Sequence, residues 1–272
     1  MICGDAIIDL DLTAFAAFHT ERGSIASLAA MQVAADQVSS YGIVVANPDG
    51  RISGFQEKPK VSEALSNLAN TGIYLFDPAA IDLIPHGVPY DIGGQVFPDL
   101  VRRRKPFYAA RIPFNWFDIG QVADYYKVLH QAMSGLVPGF VPPGREIAPG
   151  IRVAPNVSFN PERCHVVGPV WVGSSATIED GASLVGPVYV GPGSTIESGA
   201  HVEASFVFDY TRVGSLANLT GSIASGQYCV NSEGVTVNIA QADLDWVLSD
   251  ARTVPSQVPF GALLIREFLA QS

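Results

Sequence analysis

The sequence predicts an α/β chain in two parts: a layered mixed domain over residues 1–134, then a coil of short parallel strands over residues 147–240. Three observations predict it. Short apolar runs alternate with helical patterns as far as Met133. A stretch rich in proline and glycine, Leu136-Val137-Pro138-Gly139-Phe140-Val141-Pro142-Pro143-Gly144, then breaks the pattern. Beyond it an aliphatic or aromatic residue returns at every sixth position.

The elements follow in order. Met1 to Cys3 reads as a strand stub. Leu12 to Arg22 has helical apolar spacing, and Ser24 to Val33 is a strand. Gly42 to Ala46 and Arg51 to Glu57 form a hairpin, because Asn47-Pro48-Asp49-Gly50 between them is a turn sequence. Gly72 to Phe76 is a short apolar strand. Val96 to Lys105 and Gln121 to Met133 are helices. The basic run Arg102-Arg103-Arg104-Lys105 reads as the last turn of the first of these, where cations favour the helix dipole. Residues 135–146 are a linker, since proline removes backbone donors and glycine costs backbone entropy.

The repeat begins with Ile147, Val153 and Phe159. After one slip it resumes at Val166, Val172, Ile178, Leu184, Val190, Ile196, Val202 and Phe208. Val213, Ile223 and Val230 continue it more loosely. Four residues after many of these stands a small residue: Ala176, Ala182, Ser194, Ala200. A six-residue period needs short strands joined by tight turns, with the large residue inward and the small one where coils approach. The pattern resembles the left-handed parallel β-helix of hexapeptide-repeat proteins. Residues 241–272 are expected to close it with helices at Asp243 to Ser249 and Ala262 to Gln271.

Composition narrows the partners. The chain has 272 residues, 48% of them hydrophobic and 15% charged, which suits compact globular domains. A net charge of -10 disfavours nucleic acid. Cys3, Cys164 and Cys229 show neither disulfide nor metal spacing, so a reducing, cytoplasmic setting is expected. The opening residues lack the features of a signal peptide, and no apolar run has the length to cross a bilayer.

Several short motifs carry chemistry. Gly4-Asp5 sits where a buried strand ends, and ligands of open α/β sheets bind beyond such ends. A carboxylate there can hold Mg²⁺ or cap a turn. Trp116-Phe117-Asp118-Ile119-Gly120 supplies a second acid between a strand and a helix. Asp5 and Asp118 together can place one Mg²⁺ between two phosphates. In Glu57-Lys58-Pro59 the lysine can meet a phosphate and the glutamate can accept from sugar hydroxyls. Asn70-Thr71-Gly72 offers an amide and a glycine that a sugar ring can approach, or a plain turn before a strand; Tyr41-Gly42 has the same two readings. His165 and His201 lie in the repeat region.

The motif order Gly-Asp, Tyr-Gly, Glu-Lys-Pro, Asn-x-Gly, Trp-x-Asp-Ile-Gly, then hexads, resembles the sugar-1-phosphate nucleotidyltransferases. The resemblance covers residues 1 to about 134 for the transferase domain and extends through the hexads to about 240. It implies a truncated Rossmann-like nucleotidyltransferase domain on a left-handed parallel β-helix. It also implies Mg²⁺ on Asp5 and Asp118, the sugar phosphate on Lys58, and a sugar pocket of Gly42, Glu57, Asn70 and Gly72. The substrates would be a sugar 1-phosphate and a nucleoside triphosphate, and the β-helix would join copies into a homo-oligomer. Asp118-Ile119-Gly120-Gln121 looks most like the mannose-1-phosphate guanylyltransferases. Family members carry a G-x-G-T-R loop on their first strand that holds the triphosphate. No such loop occurs in this sequence. The expectation is therefore that this part lies upstream of Met1 and that the chain alone turns over little. Two other readings stand beside it: a non-catalytic regulatory or oligomerisation subunit, and a hexapeptide acyltransferase using His165 or His201 as base.

Overall fold

The computed structural model describes residues 1–253 and contains two compact units, Met1–Asp118 and a second that begins at Ile119. The expected helix at Ala262 to Gln271 lies outside the described residues.

The first unit runs β1 (Ala6–Ile8), α1 (Leu12–Glu21), β2 (Ala26–Gln32), β3 (Gly42–Ala46), β4 (Ile52–Glu57), β5 (Leu68–Phe76), α2 (Pro78–Ile81), α3 (Phe97–Arg102), β6 (Phe107–Ala110) and β7 (Trp116–Asp118). Its main sheet has the order β4-β3-β5-β2-β6, with β2 and β6 parallel and the other pairs antiparallel. Alternation along β2 explains the layering, because neighbouring side chains point to opposite faces. Leu28 and Ala30 join Val44, Phe97, Leu100 and Phe107 on one side, under α3. Ala29 joins Phe15, Ile73 and Ala110 on the other, under α1. Both faces of β2 are covered, so its sequence is a nearly continuous apolar run rather than an alternating one. The Asp11 carboxylate starts α1 by accepting from the N–H groups of Thr13 and Ala14.

Three expectations change here. The strand predicted from Gly72 begins at Leu68, so Asn70-Thr71-Gly72 lies inside β5 and is not a turn before it. Thr71 explains this: its hydroxyl donates to the Ala29 carbonyl on β2 at 2.8 Å and is buried. The helix predicted from Val96 is preceded by a π-helical turn, Ile92–Val96, in which the Asp91 carboxylate accepts from the Gly94 N–H. That helix also stops short of Lys105. Arg102 closes its last turn and Arg103 is the C-cap. Arg104 already has φ +52°. Asp99 pairs with both Arg102 and Arg103, which accounts for half of the basic run.

The second unit opens with α4 (Val122–Met133) and continues as a solenoid. Its parallel strands stack in three sheets. One contains 165–167, 183–185, 201–203 and 218–220, in strict sequence order. Val170 pairs with Val188 and Thr177 with Thr195, one coil of three hexads apart. Val172, Ile178, Leu184, Val190, Ile196 and Val202 fill the interior, with Ala176, Ala182, Ser194 and Ala200 buried beside them.

The ends of the repeat differ from expectation. Ile147 lies on a strand, Arg145–Ala148, that pairs antiparallel with Ile151–Val153, so the parallel coil starts one strand later. At the other end the inward residue is Val207, not Phe208. Phe208 faces α4 instead, in an outer cluster with Tyr125, Tyr126 and Phe206. Ile223 joins that outer cluster, while Ala224 takes the inward place. One residue has been dropped from the coil, and Tyr189 accordingly pairs with Phe206. Val230 lies in an antiparallel meander rather than a rung. Asp243 to Ser249 is not helical; it forms turns leading to a strand, Leu248–Asp250, that pairs antiparallel with Thr211–Val213. Leu248 closes the open end of the interior there, and a strand offers this cover with its backbone donors paired.

Leu184 is fully buried at mid-coil, whereas Val167 on the outer face is 47% exposed. Leu184→Ala is expected to lower the stability of this unit by about 2–5 kcal/mol. Val167→Ala should stay within about 0.5 kcal/mol. Urea denaturation followed by circular dichroism reads both.

Candidate active site

The ribbon of β1 and β7 sets the site. Ala6 pairs with Asp118, Ile7 with Phe117 and Ile8 with Trp116. Asp5, in the turn just before Ala6, therefore adjoins the residue that pairs with Asp118. The Cys3 thiol reports both charges. Burial pushes its pKa up, and the carboxylates of Asp5 and then Asp118 push it further. Two acids distant in sequence thus face one small region. Their oxygen donors suit Mg²⁺, which usually takes one or two carboxylates and draws its other ligands from phosphate and water. Among the described residues no group of three or more His, Cys, Asp and Glu gathers as a metal cage.

The far end of the ribbon is clamped. Asn115 donates its backbone N–H to Asp9 Oδ1 at 2.5 Å and its side-chain amide to Asp9 Oδ2 at 2.6 Å. These bonds, the side-chain one first, hold the Asp9 carboxyl below its ordinary range. They also fix the register that puts Asp5 beside Asp118.

The edge of β5 forms the next wall. Cys3 donates its N–H to the Gly72 carbonyl at 3.0 Å, and Met1 and Tyr74 exchange two backbone bonds of 2.9 Å. A Cβ on Gly72 would lie 2.5 Å from Cys3 Sγ, and its φ of +77° is a conformation that only glycine adopts freely. Asn70 accepts from the Gly72 N–H at 3.1 Å and donates to the Tyr74 hydroxyl at 3.0 Å. Burial raises the pKa of Tyr74, and the nearby Cys3, Glu57 and Asp91 add to it, while the bond from Asn70 opposes. Tyr74 therefore keeps its proton and stands among an amide and two carboxylates.

Glu57 ends β4 opposite Gly42. Gly42 leaves the room: a Cβ there would meet the Phe55 ring at 2.6 Å and Glu57 Oε2 at 3.1 Å. Gly93 borders the same carboxylate and Asp91, with contacts of 3.5 and 3.7 Å to a Cβ built on it. Lys58 turns out of the strand in a left-handed conformation, φ +42°, and donates its N–H to the Tyr41 carbonyl at 3.2 Å. A non-glycine residue held this way marks a local constraint. The Tyr41 ring lies 4.9 Å from the ring of Trp116, two residues before Asp118. Trp116 Nε1 is buried without a hydrogen-bond partner among the described residues.

The structure thus gathers Asp5, Asp118 and Gly72 around Cys3, and Glu57, Asn70 and Gly42 around Tyr74 and Asp91. Lys58 connects to the ribbon through Tyr41 and Trp116. Sequence reasoning missed Cys3, Tyr74, Asp91 and the Asp9–Asn115 clamp. Strand alternation carried a signal for Tyr74, which shares a face with Asn70 and Gly72. The others meet the site only through folding. The histidines of the repeat behave differently: His165 is exposed, and His201 lies 2.9 Å from Ser183 Oγ and 3.3 Å from Glu203 Oε2.

A layered α/β unit with paired acids at a strand end, followed by a parallel solenoid, defines a class that known proteins share. Residues 1–135 match the family described as "Nucleotidyl transferase". The chain is 44% identical over 252 residues to a UTP--glucose-1-phosphate uridylyltransferase of Synechocystis sp., covering 93% of this chain and 65% of that protein. It is 34% identical over 178 residues to a probable mannose-1-phosphate guanylyltransferase 2 of Arabidopsis thaliana, covering 65% of this chain and 43% of that protein. It is 31% identical over 134 residues to a glucose-1-phosphate adenylyltransferase of Bacillus subtilis, covering 47% of this chain and 34% of that protein. The N-terminal part of the chain belongs to the nucleotidyl transferase family, and its relatives are sugar-1-phosphate nucleotidyltransferases. The chain spans less than two thirds of the length of these relatives.

Gly72→Ala is expected to destabilise the first unit by about 1–3 kcal/mol through strain and overpacking. A shift of the urea midpoint checks it. The Asp9 carboxyl is lowered in the folded state, so its contribution is present above the unfolded pKa of about 4 and lost as pH falls through the folded value. Asp9→Asn should therefore flatten the fall in stability between pH 5 and the acid limit, measured as urea midpoints across that range.

Proposed function

We propose that this chain takes part in joining a sugar 1-phosphate to a nucleoside triphosphate, giving an NDP-sugar and pyrophosphate. The observation that carries the reading is the register of β1 against β7, which sets Asp5 beside Asp118. In it, Asp5 and Asp118 hold Mg²⁺, Lys58 grips the sugar phosphate, and Glu57, Asn70 and the backbone at Gly42 and Gly72 receive the sugar hydroxyls. Tyr74 and Asp91 extend that polar wall. When bound, the cation neutralises phosphate charge and aligns the attacking and leaving oxygens. A phosphate oxygen of the sugar 1-phosphate attacks the α-phosphorus, the bond to the β-phosphate oxygen breaks, and pyrophosphate leaves. The nucleophile is already anionic, so the residues have no proton to remove, and their work is positioning and charge compensation.

The identity to a glucose-1-phosphate uridylyltransferase is higher and longer than that to a mannose-1-phosphate guanylyltransferase. The first pair to test is therefore UTP with glucose 1-phosphate. GTP with mannose 1-phosphate, favoured by the Asp118-Ile119-Gly120-Gln121 motif, comes second. The residues described above serve the sugar phosphate and the metal, so the reading expects binding of sugar 1-phosphate with little turnover by this chain alone. It also gives the solenoid the part of a contact surface between copies, which light scattering reads.

Titration calorimetry of the chain with glucose 1-phosphate and mannose 1-phosphate, with and without Mg²⁺, tests the reading. One of them should bind in Mg²⁺, and Lys58→Ala and Asp118→Asn should each weaken it at least tenfold. Equal affinity in both variants, or no binding of any sugar 1-phosphate, would sink the proposal.

A further inference from the structure

The first unit holds a second cationic feature that the proposed chemistry does not use. A cleft of about 400 Å³ is lined by Asn47, Arg51, Ser53, Arg104 and Lys105, with Ile52 and Val101 at its apolar side. It sits at the turn between β3 and β4, at the opposite end of β4 from Glu57. Five residue steps separate Ile52 from Glu57, roughly 17 Å along a strand.

Three observations set this cleft apart from an ordinary solvated basic run. The first is pairing. Arg102 and Arg103 are satisfied by Asp99, but Arg51, Arg104 and Lys105 have no ion pair among the described residues. The carboxylate of the turn, Asp49, accepts from the backbone N–H of Arg51 at 3.2 Å and tempers the local charge. In a chain of net charge -10, three cations outside any ion pair among the described residues gather around this one cleft. The second is preorganisation. Arg51 Nη2 donates to the Arg104 carbonyl at 2.8 Å, which ties the two residues together and leaves the other guanidinium donors of Arg51 free to face a ligand. The third is strain. Arg104 occupies the left-handed position just past α3, φ +52°, where glycine is the usual residue. A bulky cation kept there at a backbone cost points to a use for its side chain.

We propose that the Arg51–Arg104–Lys105 cleft binds a compact phosphoryl anion, either pyrophosphate or a phosphate monoester, at a site separate from Lys58. Guanidinium groups match the spacing of phosphate oxygens through paired N–H donors, and Lys105 adds a point charge. Asn47 and Ser53 supply neutral polar contacts. The site rests on these residues alone and stands or falls independently of the transferase reading.

The test is calorimetry with pyrophosphate, inorganic phosphate and glucose 1-phosphate in Mg²⁺-free buffer, with sodium chloride and sulfate at matched ionic strength as controls. Lys58→Ala is the background, so that the proposed sugar-phosphate site does not contribute. Saturable binding of a phosphoryl probe at one equivalent is expected, and the tightest probe distinguishes pyrophosphate from a monoester. Arg104→Gly should weaken it at least tenfold while leaving Tm equal or higher, because glycine relieves the backbone strain. Loss of affinity without loss of fold separates ligand contact from a structural role. Lys105→Ala gives the same reading with the backbone unchanged. The proposal is overturned if phosphoryl probes bind no better than sulfate, or if Arg104→Gly and Lys105→Ala retain the affinity of their background.

Discussion

The short antiparallel pairing of β1 with β7 is the constraint on which the candidate site depends. It is three residues long on each side, and it alone converts two acids more than a hundred positions apart into neighbours. Its register decides which residue Asp118 meets. The register is therefore held from both ends. Asp9 and Asn115 close one end with two short bonds, and the backbone of residues 1–3 lies against β5 at the other. So short a ribbon has little pairing energy of its own, and these flanking bonds do the specifying.

Around that ribbon the unit uses small residues and tethered turns to bring polar groups close. Gly72 lets Cys3 approach β5, and Gly42 lets Glu57 and Phe55 cross the start of β3. The candidate side chains are anchored: Lys58 and Glu57 through their backbones, on Tyr41 and Gly42, and Asn70 through its side-chain oxygen, which accepts from the Gly72 N–H. Acids gather in the region: burial first, and then the neighbouring acidic groups, raise the pKa values of Cys3 and Tyr74. A cation and a phosphate-bearing ligand offset such a field, which ties the electrostatics to the chemistry proposed for the site.

The solenoid follows a different logic. Its core is a single file of aliphatic residues, and its stability comes from stacking each coil on the next. The same outer surface carries aromatic residues, Trp171, Tyr189 and Phe206, where α4 packs, and the Tyr126 hydroxyl donates to the Ala204 carbonyl at 2.7 Å. The helix thus covers the apolar part of one flat face.

By itself the sequence determined the class of both units and named most residues of the candidate site. The hexads, the hairpin around Asn47-Pro48-Asp49-Gly50 and the acid, lysine and amide motifs are local signals, and local signals survive in one dimension. Tertiary structure decided the rest. Val207 and Phe208 both satisfy an apolar pattern, and only the presence of α4 outside the coil chooses which one turns inward. Asp243 to Ser249 has helical spacing, but an uncovered coil end needs a strand whose backbone can pair. Cys3, Asp91 and Asn115 carry no local signature at all. They reach the site because chain segments distant in sequence fold against one another, and a contact of that kind has no periodicity from which it could be read.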